Sequence, residues 1–233
     1  MSIKDNFKPI RKPKPVYGSV SGYYAFRGED TIWFESTLER DLLQKLEFNE
    51  NVLQVVCQPV EIPYRTNLGN LSTYTPDFLV QFSETECHQP PLLIEVKPIG
   101  KLKKDWSILK PKLKAGFEYA CDQGWIFKIY DEKRIRDQLL ANIQFLKRYK
   151  NADFPKDETI RILDKLEEFG VNCVNGVASS LYKSDQKVLQ MIAHIWFLVE
   201  KKFICCDLTQ PLKPTTVIWV NNNMKNYINF GGL

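Results

Sequence analysis

The chain has 233 residues, of which 44% are hydrophobic and 26% charged, so it is long enough to bury one or two cores. Its formal net charge of +4 permits nucleic-acid binding without requiring it. The six cysteines include no C-x-x-C pair and there are only two histidines, which argues against a structural zinc site, a disulfide framework and histidine-based catalysis.

The sequence contains no signal that predicts a membrane protein. No charged-then-apolar leader opens it, and its longest apolar stretch, Met191 to Val199, is too short to span a bilayer. We therefore expect a soluble, intracellular protein without a membrane partner.

Residues 1–29 are predicted to form a basic N-terminal arm. Its first 16 residues carry five basic side chains against one acid, together with three prolines, and cannot build a core. Such an arm is either a solvated tail or a segment that lies along DNA phosphates and orders on binding. Its candidate DNA contacts are Arg11, Lys12 and Lys14.

The first predicted helix lies between Phe34 and Phe48, where leucines recur at helical spacing after the N-cap candidate Ser36. Glu39 falls on or beside the inward face of this helix. It is either the acidic partner of a capping box with Ser36, which the local pattern favours, or a metal ligand. Glu35 and Asp41 are the nearest alternatives for the second role.

Three strands are predicted to follow the first helix. Asn51 to Tyr64 indicates a strand and its continuation, with prolines that suggest an edge or a bend. Asn67 to Asn70 is predicted to turn the chain into the strand of Asp77, as in a hairpin. The third strand is the apolar run from Leu92 to Val96.

The strand of Asp77 and the strand that follows it carry the residues of a candidate active site. Because side chains alternate along a strand, Glu95 and Lys97 leave the same face, and Asp77 on the neighbouring strand can reach that face. Two carboxylates can hold a hard divalent cation, and the ammonium beside them can orient water or stabilise developing charge. These residue types together are suited to phosphodiester cleavage.

A run of lysines follows this site and is predicted to contact the phosphates that flank the cut; the alternative is an ordinary solvated face. The run consists of Lys101, Lys103, Lys104, Lys110, Lys112 and Lys114, of which all but Lys114 are candidate DNA contacts. A helix to about Gly124, a strand from Trp125 to Tyr130 and a helix from Ile135 to Tyr149 complete the pattern. The order of elements predicts an α/β sandwich over residues 30–150.

Residues 155–233 are predicted to form a small winged-helix-like α+β domain with a polar tail, after a linker at Asn151–Pro155. Its expected elements are helices at 156–169 and 184–201, a turn through Gly176, and strands at 203–208 and 215–220. The broad apolar stripe of the second helix and Tyr227, Ile228 and Phe230 in the tail predict a surface that docks a protein partner.

Three blocks of the sequence, in this order, resemble the TnsA family, whose members have a PD-(D/E)xK core. They are Ser36 to Leu43, Thr75 to Val80 and Glu95 to Pro98. The resemblance implies a restriction-endonuclease-like fold and the endonuclease subunit of a heteromeric cut-and-paste transposase, which cleaves the 5' ends of a transposon.

The same resemblance implies roles for particular residues. Glu39, Asp77 and Glu95 would hold Mg²⁺, for which Mn²⁺ is expected to substitute, and Lys97 would polarise the attacking water or the phosphate. The position of Glu95 is less uniform in the family than that of Asp77. The implied partners are the double-stranded DNA of the transposon ends, a TnsB-like transposase and a TnsC-like ATPase regulator, in the bacterial cytoplasm.

Two alternatives share the same core. One is a restriction or repair nuclease, which genomic neighbours would distinguish. The other is an inactive scaffold that only binds DNA or partners, against which the complete set of Asp77, Glu95 and Lys97 argues.

Overall fold

A computed structural model describes residues 9–10, 20–83 and 89–222, and the chain divides into two units, Met1–Arg136 and Asp137–Leu233. The division precedes the expected linker at 151–155, so the helix that begins at Gln138 groups with the second unit and not with residues 30–150. Within the described ranges, no helix is both long and apolar enough to cross a bilayer.

The first unit is an α/β structure. Its elements are β1 (Gly22–Phe26), β2 (Asp30–Phe34), α1 (Thr37–Phe48), β3 (Val52–Cys57), β4 (Ile62–Arg65), β5 (Leu71–Tyr74), β6 (Phe78–Phe82), β7 (Leu92–Val96), α2 (Ile99–Lys104), α3 (Trp106–Asp122), β8 (Ile126–Tyr130) and α4 (Glu132–Ile135). The largest sheet has four strands in the order β3-β6-β7-β8. The pairs β3–β6 and β6–β7 are antiparallel, and β7–β8 is parallel. Two smaller hairpins, β1–β2 and β4–β5, accompany the sheet.

Strand β7 lies inside the sheet, and all five of its residues are buried. A continuous apolar run is typical of a strand that is covered on both faces. Because β7 and β8 are parallel, the chain must cross over between them, and α2 and α3 form that connection. A Cβ atom at Gly116 of α3 would lie 2.7 Å from Tyr74 Cε1, so the glycine permits close packing of this helix on β5.

Two expectations for the first unit are wrong. Residues 22–26 of the supposed arm form β1, because Tyr24 and Phe26 alternate into the core and the strand pairs with β2. The turn at Asn67–Asn70 joins β4 to β5, and Asp77 stands at the start of a separate strand, β6. Pro76 lacks the N–H that a continuous ladder would use, which separates β5 from β6.

The second unit combines helices with the antiparallel sheet β10-β11-β9. The expected helix from Ile135 to Tyr149 is divided: Asp137 caps a new helix by accepting a hydrogen bond from Leu140 N. The expected turn through Gly176 contains a helix, which Cys173 caps through Sγ. The elements are α5 (Gln138–Leu146), a 3₁₀ turn (Lys147–Tyr149), α6 (Lys156–Phe169), β9 (Asn172–Cys173), α7 (Val174–Leu181), α8 (Asp185–Glu200), β10 (Ile204–Cys206) and β11 (Val217–Val220).

The apolar stripe of α8 belongs to the core of its own unit. Met191, Ile195, Trp196, Leu198 and Val199 are all buried and Ile192 is half-buried, so most of this stripe offers no surface to a partner, and the docking role stays a prediction. The side chains exposed on α8 lie in its first turns, as the burial pattern of the second unit shows. The tail residues Tyr227, Ile228 and Phe230 lie outside the described residues.

Candidate active site

The pairing of β6 with β7 brings Asp77, Glu95 and Lys97 together. Phe78 pairs with Ile94, and the same register places Asp77 opposite Glu95. Asp77 Oδ2 accepts a hydrogen bond of 2.6 Å from Val96 N, and Asp77 N donates to Ile94 O at 3.0 Å. Lys97 Nζ lies 3.0 Å from Glu95 Oε1. The structure therefore brings together the three residues that the strand pattern singled out.

Glu95 is buried, with only 1% of the residue exposed, and its carboxylate is surrounded by donors. Tyr74 donates its hydroxyl to Glu95 Oε2 at 2.8 Å, and Lys112 Nζ lies 3.2 Å from Oε1, the oxygen that also contacts Lys97. The ammonium of Lys112 stands 4.9 Å from the centroid of the Tyr74 ring. Tyr74 and Lys112 thus complete the surroundings of Glu95 from β5 and α3.

Glu39 acts as a helix cap in this structure. Its Oε1 accepts from Ser36 Oγ and its Oε2 from Glu35 N, each at 2.8 Å, while Glu39 N donates to Ser36 Oγ at 3.2 Å. The capping box that the local pattern favoured is therefore present, with the return bond going to Glu35 N. A carboxylate oxygen has two lone pairs, so these bonds leave room for a cation. The charge of Glu39 also acts on Asp77 and Lys97.

The electrostatics of the site are those of crowded carboxylates. Burial, and then the neighbouring charge of Glu95, raise the pKa of Asp77 well above its ordinary value, although Lys97 opposes the shift. Burial also raises the pKa of Glu39, although the hydrogen bonds that its carboxylate accepts oppose the shift. Burial alone would lower the pKa of Lys97, but the charges of Asp77 and Glu95 outweigh it and raise that pKa. Lys97 therefore stays protonated at neutral pH.

The other acidic candidates on and near α1 have structural partners. Asp41 is buried, and it binds Arg40 at 3.0 Å and Arg136 at 2.8 Å, so it cannot replace Glu39 as a ligand at this site. Glu35 accepts from Gln58 Nε2 at 3.0 Å. Gln58 itself has a φ of 47° and donates its N–H to Asp77 O, which fixes the backbone beside the site.

The lysine run has two different surroundings. Lys101, Lys103, Lys104 and Lys110 are exposed on α2 and α3, whereas Lys112 points to Glu95. Arg11, Lys12 and Lys14 lie outside the described residues. Tyr74, Gln58 and the role of Lys112 at Glu95 did not emerge from the sequence. Each depends on a contact between distant elements, for which a single sequence offers no periodic signal.

The donors at this site have the chemistry that a hard cation requires. Asp77, Glu95 and Glu39 offer carboxylate oxygens, which Mg²⁺ prefers, and crowding of carboxylates is a cost that a bound cation removes. Within the described ranges, however, no three His, Cys, Asp or Glu side chains form a complete metal site. At Glu95, lysines take the position of a counter-ion. A cation at Glu95 Oε1 would therefore have to displace an ammonium group.

The α/β unit that holds this site resembles a known family in sequence. Residues 49–132 match the family described as TnsA-like endonuclease N terminal, a segment that is less than half of the chain. The matched segment contains Tyr74, Asp77, Glu95, Lys97 and Lys112, and it begins after Glu39. No curated protein matches the chain.

Proposed function

We propose that the chain is the endonuclease subunit of a TnsA-like transposase, which hydrolyses phosphodiester bonds at the 5' ends of a transposon. The observation that carries the proposal is the convergence of Asp77, Glu95 and Lys97 inside the segment that matches the endonuclease family. The mixed sheet and its crossover helices support a restriction-endonuclease-like, PD-(D/E)xK core. The element order alone would suit a restriction or repair nuclease equally well, and the family match favours transposition.

In this proposal Asp77, Glu95 and Glu39 hold Mg²⁺ or Mn²⁺. The bound ion would neutralise a phosphate and lower the pKa of a coordinated water. Asp77 is fixed by Val96 N through Oδ2 and accepts no hydrogen bond at Oδ1 from the described part of the chain, which leaves that oxygen for a ligand. Tyr74 orients Glu95 through Oε2.

Lys97 is proposed to act through its charge. Its raised pKa keeps the proton on Nζ at neutral pH, so the side chain is poorly suited to remove a proton from water. A protonated Nζ beside the two carboxylates can donate a hydrogen bond to a phosphate oxygen as negative charge develops there. It can also orient the attacking water.

The second unit is proposed to be winged-helix-like. Its order of α6, β9, α7, α8, β10 and β11, with β11 between β10 and β9, supports that comparison. We propose that the whole chain works on transposon-end DNA in the bacterial cytoplasm, with a TnsB-like transposase and a TnsC-like ATPase regulator.

Cleavage of DNA that carries the element's own ends tests this proposal. The full chain is combined with the transposase and ATPase encoded beside it, and 5' strand breaks are mapped with Mg²⁺, with Mn²⁺ and with chelator. We expect metal-dependent cuts that Asp77→Asn abolishes while complex assembly persists, and that Asp122→Asn, at an exposed position, leaves intact. Cutting by Asp77→Asn at the wild-type rate would contradict the assignment.

A further inference from the structure

Lys112 enters the candidate site from α3, while the motif residues come from the sheet. Its side chain is 20% exposed, compared with 70% for Lys114 two residues later on the same helix. Its Nζ contacts Glu95 Oε1 at 3.2 Å and stands over the Tyr74 ring. The close approach of α3 that Gly116 allows at Tyr74 sets up this arrangement. Lys112 is thus turned into the site and away from the exposed lysine run.

One oxygen of the Glu95 carboxylate, Oε1, is saturated by groups of the chain itself. Oε1 contacts the ammonium groups of both Lys97 and Lys112, and Oε2 accepts the Tyr74 hydroxyl. Because a carboxylate oxygen has two lone pairs, a cation can join Oε1 only when one of the two lysines leaves.

The two lysines are held unequally. Lys97 feels the charges of Asp77, Glu95 and Glu39, whereas Lys112 forms an ion pair only with Glu95 among the described residues. Lys112 is therefore the group whose departure costs less.

We propose that Lys112 occupies, at Glu95 Oε1, the place that a divalent cation takes, and that its ammonium moves to a backbone phosphate when DNA binds. This inference rests on the proposed function. It makes metal and DNA bind cooperatively, because DNA removes the competitor of the metal, and the metal releases a cation for the DNA. By linkage, each ligand must raise the affinity of the other by the same factor.

The test measures Ca²⁺ affinity by calorimetry on the full chain, with and without a short DNA duplex. Without DNA, Lys112→Gln should bind Ca²⁺ about tenfold more tightly than the wild type, because a like charge next to the ligand has gone. Lys112→Arg keeps a competing cation and should retain the wild-type affinity. Lys114→Gln removes an exposed charge from the same helix and should do the same.

The second measurement is the effect of the duplex. The wild type should gain Ca²⁺ affinity when DNA is added, and Lys112→Gln should lose most of that gain. A role as a phosphate clamp alone would lower DNA affinity equally with and without Ca²⁺, and would leave the Ca²⁺ affinity of the free protein unchanged. If circular dichroism shows that Lys112→Gln is unfolded, Lys112→Met takes its place, because methionine keeps the aliphatic packing on Tyr74.

The possible results separate this inference from the proposed function. If the wild type binds Ca²⁺ and Lys112→Gln binds it no more tightly, the inference fails and the metal site stands. If neither protein binds Ca²⁺, both the inference and the proposed metal site fail. Binding by Lys112→Gln but not by the wild type supports the inference strongly.

Discussion

The residues of the candidate site form a cluster of charges that the free protein balances only in part. The three carboxylates of Asp77, Glu95 and Glu39 face the two ammonium groups of Lys97 and Lys112, and the pKa of Asp77 is raised by burial and by Glu95. A raised pKa for a carboxyl means that its charged form is disfavoured in the folded protein. The site therefore costs the free protein stability at neutral pH, which a bound cation would return.

Asp77→Asn should stabilise the metal-free protein at neutral pH. The folded protein binds the Asp77 proton more tightly than the unfolded chain does, so stability falls as pH rises from the ordinary carboxyl pKa through the raised one. Asn keeps an oxygen for Val96 N without the charge. Thermal unfolding between pH 4 and pH 8 should show a higher Tm for the variant at pH 7, with the difference shrinking toward pH 4.

Two comparisons make this measurement specific. Asp122→Asn removes an exposed carboxylate and should leave the Tm difference small throughout the pH range. Added Mg²⁺ should raise the Tm of the wild type and have less effect on Asp77→Asn. A variant less stable than the wild type at pH 7 would show that Asp77 is mainly a structural acceptor.

Lys97→Gln should slow DNA cleavage on the order of 100-fold, because an ammonium that stabilises developing charge is lost. Single-turnover cleavage at saturating DNA isolates this effect from binding. Lys97→Arg retains the charge and should recover part of the rate. Equal rates for Lys97→Gln and the wild type, with weaker DNA binding, would make Lys97 a phosphate contact only.

The strand pattern was sufficient to predict that three site residues lie together. The period of two along β7 predicted that Glu95 and Lys97 share a face, and the structure shows their side chains in contact. The roles of Tyr74 and Gln58 at the site could not be predicted, because each depends on a contact between elements that are distant in sequence. Glu39 shows a different limit of sequence-based prediction. The pattern Ser36-x-x-Glu39 is the same whether Glu39 only caps the helix or also binds a metal, so the sequence does not distinguish the two roles.

At the scale of elements, local signals located most helices and strands but not their groupings. The helix of Lys156–Phe169 was predicted with its exact bounds from apolar residues at helical spacing. The helix Val174–Leu181 was missed, because Gly, Asn and Ser in its sequence are typical of turns. The apolar stripe of α8 predicted that one face of this helix is buried. The stripe alone does not indicate whether that face packs against the helix's own unit or against a partner.

The exposed lysines of α2 should act as non-specific phosphate contacts. Replacing Lys101, Lys103 and Lys104 by Gln removes charges that are solvated in the free protein. Each lost phosphate contact should lower the slope of log affinity against log salt by about one, whatever the DNA sequence. Fluorescence anisotropy at several salt concentrations measures this slope. Lys128→Gln, exposed on β8, is the matched control, and an unchanged slope in the triple variant would identify a merely solvated surface.

The first turns of α8 should contact DNA. Gln186, Lys187 and Gln190 are exposed there, and amide and ammonium groups on a helix are suited to base edges and phosphates. Since most apolar residues in the later turns of α8 are buried, the helix offers a partner the exposed face of its first turns, which also includes Leu189. The triple alanine variant should bind transposon-end DNA more weakly and leave cleavage chemistry unchanged once bound. Full DNA affinity together with lost co-purification of the ATPase would instead make this face a protein-docking surface.

For the whole molecule, the two units should respond to acid in opposite directions. The first unit gains stability as Asp77 takes up a proton. In the second unit, His194 is fully buried, stacks on Phe154 with ring centroids 4.3 Å apart, and forms a 2.8 Å hydrogen bond between Nε2 and Thr159 Oγ1. Burial lowers the pKa of His194 to about 4, although Glu158 opposes the shift.

The sign for His194 follows from comparing the folded and unfolded states. The His194 side chain of the unfolded chain binds a proton near pH 6.5, whereas that of the folded unit stays neutral down to about pH 4. The stabilisation that neutral His194 gives the folded unit is therefore complete above pH 6.5 and is lost as the pH falls from 6.5 to about 4. The loss comes to roughly 3 to 4 kcal/mol, from the difference between 6.5 and about 4 at 1.36 kcal/mol for each pKa unit. Hydrogen exchange of the full chain, corrected for intrinsic rates, should therefore show α6 and α8 losing protection between pH 7 and pH 4.5, while β6 and β7 keep or gain it.

His194→Gln removes the titrating group and should abolish the pH dependence of α6 and α8, whatever its effect on stability at pH 7. Parallel loss of protection in both units would mean that other groups govern the response to acid, and that neither Asp77 nor His194 controls the stability of its unit.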